Sequence, residues 1–201
     1  EIFDAFVKGV VLAQKIGFEG VEFHGAHGYL LDSFLRAGQV DFVSDIVRES
    51  RRQVGPAYPF CIRFSQWSVA GYEERQFQSP QDMEAVLLPL KDAGIDIFHA
   101  STRRFWLPEF EGSDMNLAGW TRKITGCPTI TVGNIGLVTA EFFGSGPESM
   151  HELMRRFNQE EFDMVAVGRP LISDAEWPNK VRETLPDEIV DYYKEANQVY
   201  P

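Results

Sequence analysis

Two cysteines in 201 residues, Cys61 and Cys127, are too few and too far apart for a disulfide framework. Neither stands in a C-x-x-C pair, so nothing points to an iron–sulfur cluster or a cysteine zinc site. Basic residues are also scarce: 19 Lys and Arg stand against 30 Asp and Glu, a formal net charge of −11. That balance argues against nucleic acid or an anionic membrane as the main partner, although it leaves open a phosphate held locally by backbone amides. No apolar run is long enough to span a bilayer and no secretory leader is legible, so a cytoplasmic location is the default. An initiator methionine is lacking too. The chain opens at Glu1 inside an amphipathic helix and reads as the middle of a longer polypeptide. What it has in quantity is apolar surface, 44% hydrophobic residues and 13% aromatic, enough for a packed core and too much for disorder.

The periodicity supplies the elements. Ile2, Phe6, Val10 and Ala13 share one helical stripe that Gly17 closes. Gly20 to His24 reads as a strand stopped by Gly25 and Gly28, which release a loop carrying His27 and Tyr29. From Leu30 the pattern continues as helix through Val40, Val43, Ile46 and Val47, until Gly55-Pro56 breaks it. Pro59 to Ser65 is an apolar strand interrupted by Arg63. Ser79-Pro80-Gln81-Asp82 is a helix start with Ser79 as cap, and that helix ends at Gly94. Ile95 to Ala100 is a further strand, and the polar, aromatic stretch Ser101 to Trp120 reads as a long loop of the functional kind. Pro128 to Val132 is a strand ending in Gly133-Asn134-Ile135-Gly136. Pro147-Glu148-Ser149 opens a helix with Met150, Leu153, Met154 and Phe157 inward. Phe162 to Val167 is the last strand, ending in Gly168-Arg169-Pro170, and Trp177 and Val181 mark one more helix.

Strands thus recur about every 35 to 40 residues with helices between them, and they read as apolar on both faces. That is the α/β class, a parallel sheet covered by helices. Polar residues gather at the carboxyl ends of several strands: His24 and His27, Arg63, His99 and Ser101, Gly133 and Asn134, Gly168 and Arg169. A doubly wound sheet would concentrate them at one crevice, whereas a (β/α)8 TIM barrel draws them from many strand ends. A full barrel needs roughly 250 residues. About five strands over residues 1–201 therefore make a single partial domain, the second half of a barrel.

His24 and His27 admit three readings. They are a hydrogen-bonded core histidine and a surface one; or metal ligands, without the H-E-x-x-H spacing or carboxylate partners that would favour this; or two N–H donors converging on one oxygen. Aimed at a ketone or nitro oxygen, such donors would stabilise the enolate-like charge that hydride addition produces. Tyr29 is either an interfacial aromatic or the acid that protonates the neighbouring carbon. Arg63 is either half of an internal ion pair with Glu22 or a cation facing an electron-rich heterocycle. The glycine turns at Gly133 and Gly168 are plain turns or, with Arg169, a phosphate site after consecutive strands. His99 reads as a satisfied core histidine, Arg103 to Trp106 as pocket mouth or solvated loop, and Glu109, Glu111 and Asp114 as loop solvation.

The stretch Phe18-Glu19-Gly20-Val21-Glu22-Phe23-His24-Gly25-Ala26-His27-Gly28-Tyr29-Leu30 closely resembles the fourth-strand signature of the old yellow enzyme family, the NAD(P)H:flavin oxidoreductases and ene-reductases. Ile62-Arg63-Phe64-Ser65, Thr131 to Gly136 and Val165 to Leu171 resemble its later strand ends, in order. The resemblance implies an FMN-dependent barrel using NADH or NADPH as reductant. It would reduce the C=C bond of an α,β-unsaturated carbonyl compound by hydride transfer from flavin N5. By motif match, His24 and His27 would bind the oxygen of a small-molecule enone, and Tyr29 would donate the proton. Arg63 would contact the flavin pyrimidine edge, and the loops with Gly133, Asn134, Gly168 and Arg169 would hold the FMN phosphate. The sequence departs from the family in three places. The first three strands have no counterpart, Arg36-Ala37-Gly38 replaces a longer loop, and Asn134 stands where a small residue is usual. A half barrel has two unpaired sheet edges, which favours a homo-oligomer. The alternatives are a flavin-free barrel acting on a phosphorylated metabolite and a non-catalytic half-barrel that binds a partner.

Overall fold

A computed structural model of the chain describes residues 1–137, 148–183, 188–190, 193 and 196. Its centre is one parallel sheet built, among the described residues, from β1 (Val21–His27), β2 (Phe60–Ser68), β3 (Ile97–Ser101), β4 (Thr129–Val132) and β5 (Met164–Val165), lying side by side in chain order. The helix α1 (Ile2–Lys15) precedes β1. Between β1 and β2 lie α2 (Leu30–Arg36) and α3 (Val40–Val54), and α4 (Pro80–Ala93), α5 (Leu117–Thr125) and α6 (Glu148–Asn158) make the later crossovers. The short helices α7 (Pro170–Ser173) and α8 (Trp177–Arg182) follow β5. Strand order equal to chain order, with a helix at each crossover, is the arrangement of a (β/α)8 barrel, of which this is a part. Among the described residues no helix is long and apolar enough to cross a membrane.

Local chemistry sets several boundaries. Ser79 accepts a hydrogen bond from the Asp82 amide while the Asp82 carboxylate accepts one from the Ser79 amide, with Pro80 in the first turn of α4. At the far end Gly94, at φ 117, takes the left-handed cap that only glycine adopts cheaply. The core lies between sheet and helices. Phe23, Phe60, Ile62, Phe64 and Phe98 are buried against Val43, Ile46, Val47, Met83, Leu87 and Leu90. Each such side chain contributes roughly 1.5–3 kcal/mol of transfer free energy.

The strands are not apolar on both faces. Alternation places Glu22 and His24 opposite Phe23 and Gly25, and the register carries that polar face from β1 to His99 of β3, where it turns apolar. His24, Arg63, His99, Ile130 and Met164 form one row, and Glu22, Cys61 and Ile97 the row beneath.

Other boundaries also differ from the sequence pattern. The helix expected from Leu30 through Val47 is two helices, because Gly38 at φ 75 closes α2 and α3 starts at Val40. β1 runs through Gly25 instead of stopping there. Gly25 lies opposite Phe64, where an added Cβ would stand 3.2 Å from the Arg63 carbonyl oxygen. The long polar segment ends sooner than expected, since Asn116 caps α5 by accepting from the Gly119 amide. In α6 the inward positions include Leu153 and Arg156, while Met154 and Phe157 are about half exposed. The ladder of β5 covers only Met164 and Val165, although Phe162 is buried. Pro147, expected to open α6, lies outside the described residues.

Candidate active site

The carboxyl end of β1 is shaped by its pairing with β2. Gly25 stands opposite Phe64 but His27 stands opposite Ser68, so the ladder is irregular across this step and β2 carries the extra residues. Ser65 lies within that irregularity. Its hydroxyl accepts a 2.8 Å bond from the His27 amide and donates to the Trp67 carbonyl at 2.7 Å. The Val69 amide donates to the His27 carbonyl at 3.0 Å. So clamped, His27 sits at φ 66, a left-handed conformation that costs a non-glycine residue roughly 1–2 kcal/mol. The next turn is fixed from the other side. The buried Asp32 accepts from the Gly28 amide at 2.6 Å and from Arg36 Nε at 2.7 Å, and Arg36 Nη2 donates to the Ser65 and Gln66 carbonyls.

These constraints bring three of the sequence-predicted residues together. The rings of His24 and His27 are 5.4 Å apart between centroids, and those of His24 and Tyr29 are 5.2 Å apart. Tyr29 is 55% exposed. Trp67 stacks on His27 at 4.3 Å and 21°. Burial, followed by the positive charge of Arg63 and its basic neighbours, pushes the pKa of His27 down to about 4.

Arg63 joins this group through Ser101. Its Nη2 donates to the Ser101 hydroxyl at 3.1 Å, and the same oxygen lies 2.9 Å from His27 Nε2. The only signal for Ser101 in the sequence was its place at the carboxyl end of a strand beside His99. The alternative partner for Arg63, Glu22, is bound elsewhere: its carboxylate is 2.8 Å from His99 Nδ1 and accepts from Cys61 Sγ at 3.3 Å. Burial raises the Glu22 pKa, but the bond and charge of His99, with help from Cys61 and Arg63, outweigh it and hold the group below the usual carboxylate value. His99 is satisfied only at Nδ1. Among the described residues its Nε2 and the Nε of Arg63 are buried without a hydrogen-bond partner, side by side in the register.

The second group lies at the ends of β4 and β5. Gly133 has φ 152, and a Cβ there would stand 2.4 Å from Thr102 Oγ1. Asn134, at φ 54, accepts a 2.7 Å bond from Arg169 Nη2. Gly168 is different: among the described residues a Cβ there would meet nothing within 4 Å. The predicted residues thus fall into two clusters, one at β1 to β3 and one at β4 and β5, both at the carboxyl end of the sheet. Of the loop after β3, Arg103 lies over the Tyr72 ring at 4.5 Å and Phe105 is buried. Glu109 is no solvating acid. Its side chain is buried, accepts from Gln66 at 2.6 Å and pairs with Arg75, and burial raises its pKa. Asp114 pairs with Arg155 at 2.8 Å.

Consecutive parallel strands, with polar side chains gathered at several of their carboxyl ends, define a partial (β/α)8 barrel. The chain belongs to the NADH:flavin oxidoreductase / NADH oxidase family, whose model matches residues 1–188. An NADH oxidase from Thermoanaerobacter brockii is 30% identical over 211 residues, which cover 94% of this chain and 30% of that protein. A cinnamate reductase from Clostridium sporogenes is 27% identical over 223 residues, covering 94% of this chain and 32% of its own length. The fold matches that of an old yellow enzyme homologue from Zymomonas mobilis with a TM-score of 0.68 at 17% identity, over all of this chain and 58% of that one. The chain therefore spans about a third of the length of these two curated relatives.

Proposed function

We propose that this chain carries the substrate-oxygen, proton-donating and flavin-facing groups of an FMN-dependent NAD(P)H oxidoreductase that reduces the C=C bond of α,β-unsaturated carbonyl compounds. The observation that carries the reading is the clustering of His24, His27 and Tyr29 at one strand end, joined to Arg63 through the Ser101 hydroxyl. Family membership and the likeness to a cinnamate reductase support it.

The residues present fit a flavin mononucleotide. Among the described residues the buried Nε–H of Arg63 has no partner, which suits a cation meeting the electron-rich pyrimidine edge. The loops of Gly133, Asn134, Gly168 and Arg169 would hold the phosphate, with open space at Gly168 and a guanidinium beside it. When bound, FMN supplies the hydride from N5 and takes its electrons from NADH or NADPH. The protein's part is then polarisation and proton delivery. His24 and His27 donate N–H to the carbonyl oxygen of the enone and draw charge onto it, and His27, with its pKa near 4, does so as neutral imidazole at neutral pH. The half-exposed Tyr29 hydroxyl protonates the carbon next to the carbonyl, a contribution of roughly 10²–10⁴-fold.

The test separates two half-reactions of the FMN-loaded protein. NADPH should bleach the flavin absorbance anaerobically, and an enone should restore it. Tyr29→Phe should slow the second step by about 10²–10⁴-fold and leave the first unchanged. Equal loss in both steps would refute the proton-donor role. A protein that stays colourless on incubation with FMN would instead favour a flavin-free barrel or a binding module.

A further inference from the structure

Ser101 is 2% exposed and its oxygen lies within hydrogen-bond distance of two groups, Arg63 Nη2 at 3.1 Å and His27 Nε2 at 2.9 Å. A guanidinium only donates, so the oxygen accepts from Arg63. The hydroxyl proton is cut off from water and needs an acceptor of its own. Arg63 offers none, whereas a neutral imidazole offers one unprotonated nitrogen. The proton therefore lies on the line from Ser101 Oγ to His27 Nε2, and the imidazole carries its own proton on Nδ1. The opposite tautomer would aim two donors at one oxygen and strand a buried hydroxyl proton. Adding a proton to make imidazolium would place a second cation across that oxygen from Arg63, in keeping with the lowered pKa of His27. The ring is held in this pose by the Ser65 bond to its backbone amide and by the stacked Trp67.

We propose that Ser101 is a positioning residue that locks His27 in the Nδ1–H tautomer, so that Nδ1–H is the donor offered to the substrate oxygen. This rests on the reading of His27 as an oxygen-binding group and adds how its donor is chosen. Arg63 sits at the head of the chain, and its charge polarises the Ser101 hydroxyl toward Nε2 and strengthens Nδ1–H as a donor. The serine thus couples the residue assigned to the flavin with the residue assigned to the substrate.

The experiment is nitrogen NMR of the intact protein labelled in its histidine rings, with His27→Asn used to assign the signals. At neutral pH the parent should show a pyrrole-type Nδ1 and a pyridine-type Nε2 at His27. Ser101→Ala should lose that preference, with Nε2–H becoming populated, and Ser101→Thr, which keeps the hydroxyl, should restore it. A parent protein with protonated Nε2 would overturn the proposal, and this measurement does not depend on how any Ser101 variant folds. An unchanged Nδ1–H in a folded Ser101→Ala variant would overturn it as well. The two readings fail separately. The tautomer as stated without enone reduction sinks the function, and enone reduction with Nε2–H sinks only the role of Ser101.

Discussion

Gly133 and Gly168 close consecutive strands and look equivalent in sequence, yet the structure makes opposite demands on them. At Gly133 an added Cβ would stand 2.4 Å from Thr102 Oγ1, 2.7 Å from Thr102 O and 3.0 Å from Thr102 C. Thr102 cannot simply swing away. Its amide and its hydroxyl both donate to the Val132 carbonyl, at 3.0 and 2.8 Å. The backbone at Gly133 is also at φ 152, a region that L side chains avoid. Backbone strain of roughly 1–3 kcal/mol and overpacking of similar size give about 2–6 kcal/mol for Gly133→Ala. In a domain of this size each kcal/mol lowers Tm by about 2–4 °C, so a fall of at least about 4 °C is expected. At Gly168 the added methyl meets nothing among the described residues and φ is not left-handed. Gly168→Ala should change the stability of the ligand-free protein by no more than about 0.5 kcal/mol. If the loop cradles a phosphate, the methyl should intrude there instead and raise the Kd for FMN. The assay is thermal melting of parent and both variants with and without FMN, with Kd from quenching of flavin fluorescence. A Gly133→Ala protein that melts like the parent would refute the steric argument. A Gly168→Ala protein that binds FMN like the parent would remove that glycine from the phosphate site.

Two further outcomes follow from buried charge. The unfolded chain protonates His27 near 6.5 and the folded one near 4, so between those values the unfolded state binds more protons and stability rises with pH. The contribution is complete above pH 6.5 and is lost as pH falls toward 4; it is on the order of 1–3 kcal/mol. Urea unfolding across that window should show a shallower slope for His27→Asn than for the parent, and parallel slopes would show that His27 is not the group responsible. Arg156, 1% exposed, donates from Nη1 to Glu161 and the Asp114 carbonyl and from Nη2 to the Trp106 carbonyl, each at 2.8 Å. Arg156→Ala leaves Glu161 buried and unpaired, a loss of about 3–5 kcal/mol in urea unfolding. A loss below about 1 kcal/mol would mean that water or Arg155 replaces it.

The elements with a strong local signal were legible in the sequence. The Ser79-Pro80-Gln81-Asp82 start of α4 and its stop at Gly94 were read directly, because capping chemistry is local and repeats its own pattern. The clustering of His24, His27 and Tyr29 was legible from the motif. What escaped depended on partners distant in sequence. Nothing near Arg63 announces that its acceptor is Ser101, or that Glu22 prefers His99, since both choices arise from strand register. Arg156 carries no signal in the sequence because its partners come from the loop before α5 and from the turn after α6. The break between α2 and α3 turns on a glycine that periodicity alone passes over.

The spacing of the two histidines has a physical meaning that becomes visible only with the backbone. In a regular strand, positions three apart point to opposite faces, so His24 and His27 should not meet. His24 stands on the polar face, and Ala26, which shares its parity, is fully buried, so the regular alternation has already failed there. The left-handed turn at His27 carries the chain out of the pleat and returns the imidazole to the side of His24, where the rings lie 5.4 Å apart. Gly28, at φ 84, completes the reversal and delivers Tyr29 to the same side. The strain at His27 is opposed by bonds from β2, the residue that follows it and β3: Ser65 on its amide, Val69 on its carbonyl and Ser101 on its ring. A backbone conformation unfavourable for any isolated histidine is thus stabilised by β2 and β3 together. The three rings converge only when the β1–β2–β3 register is in place.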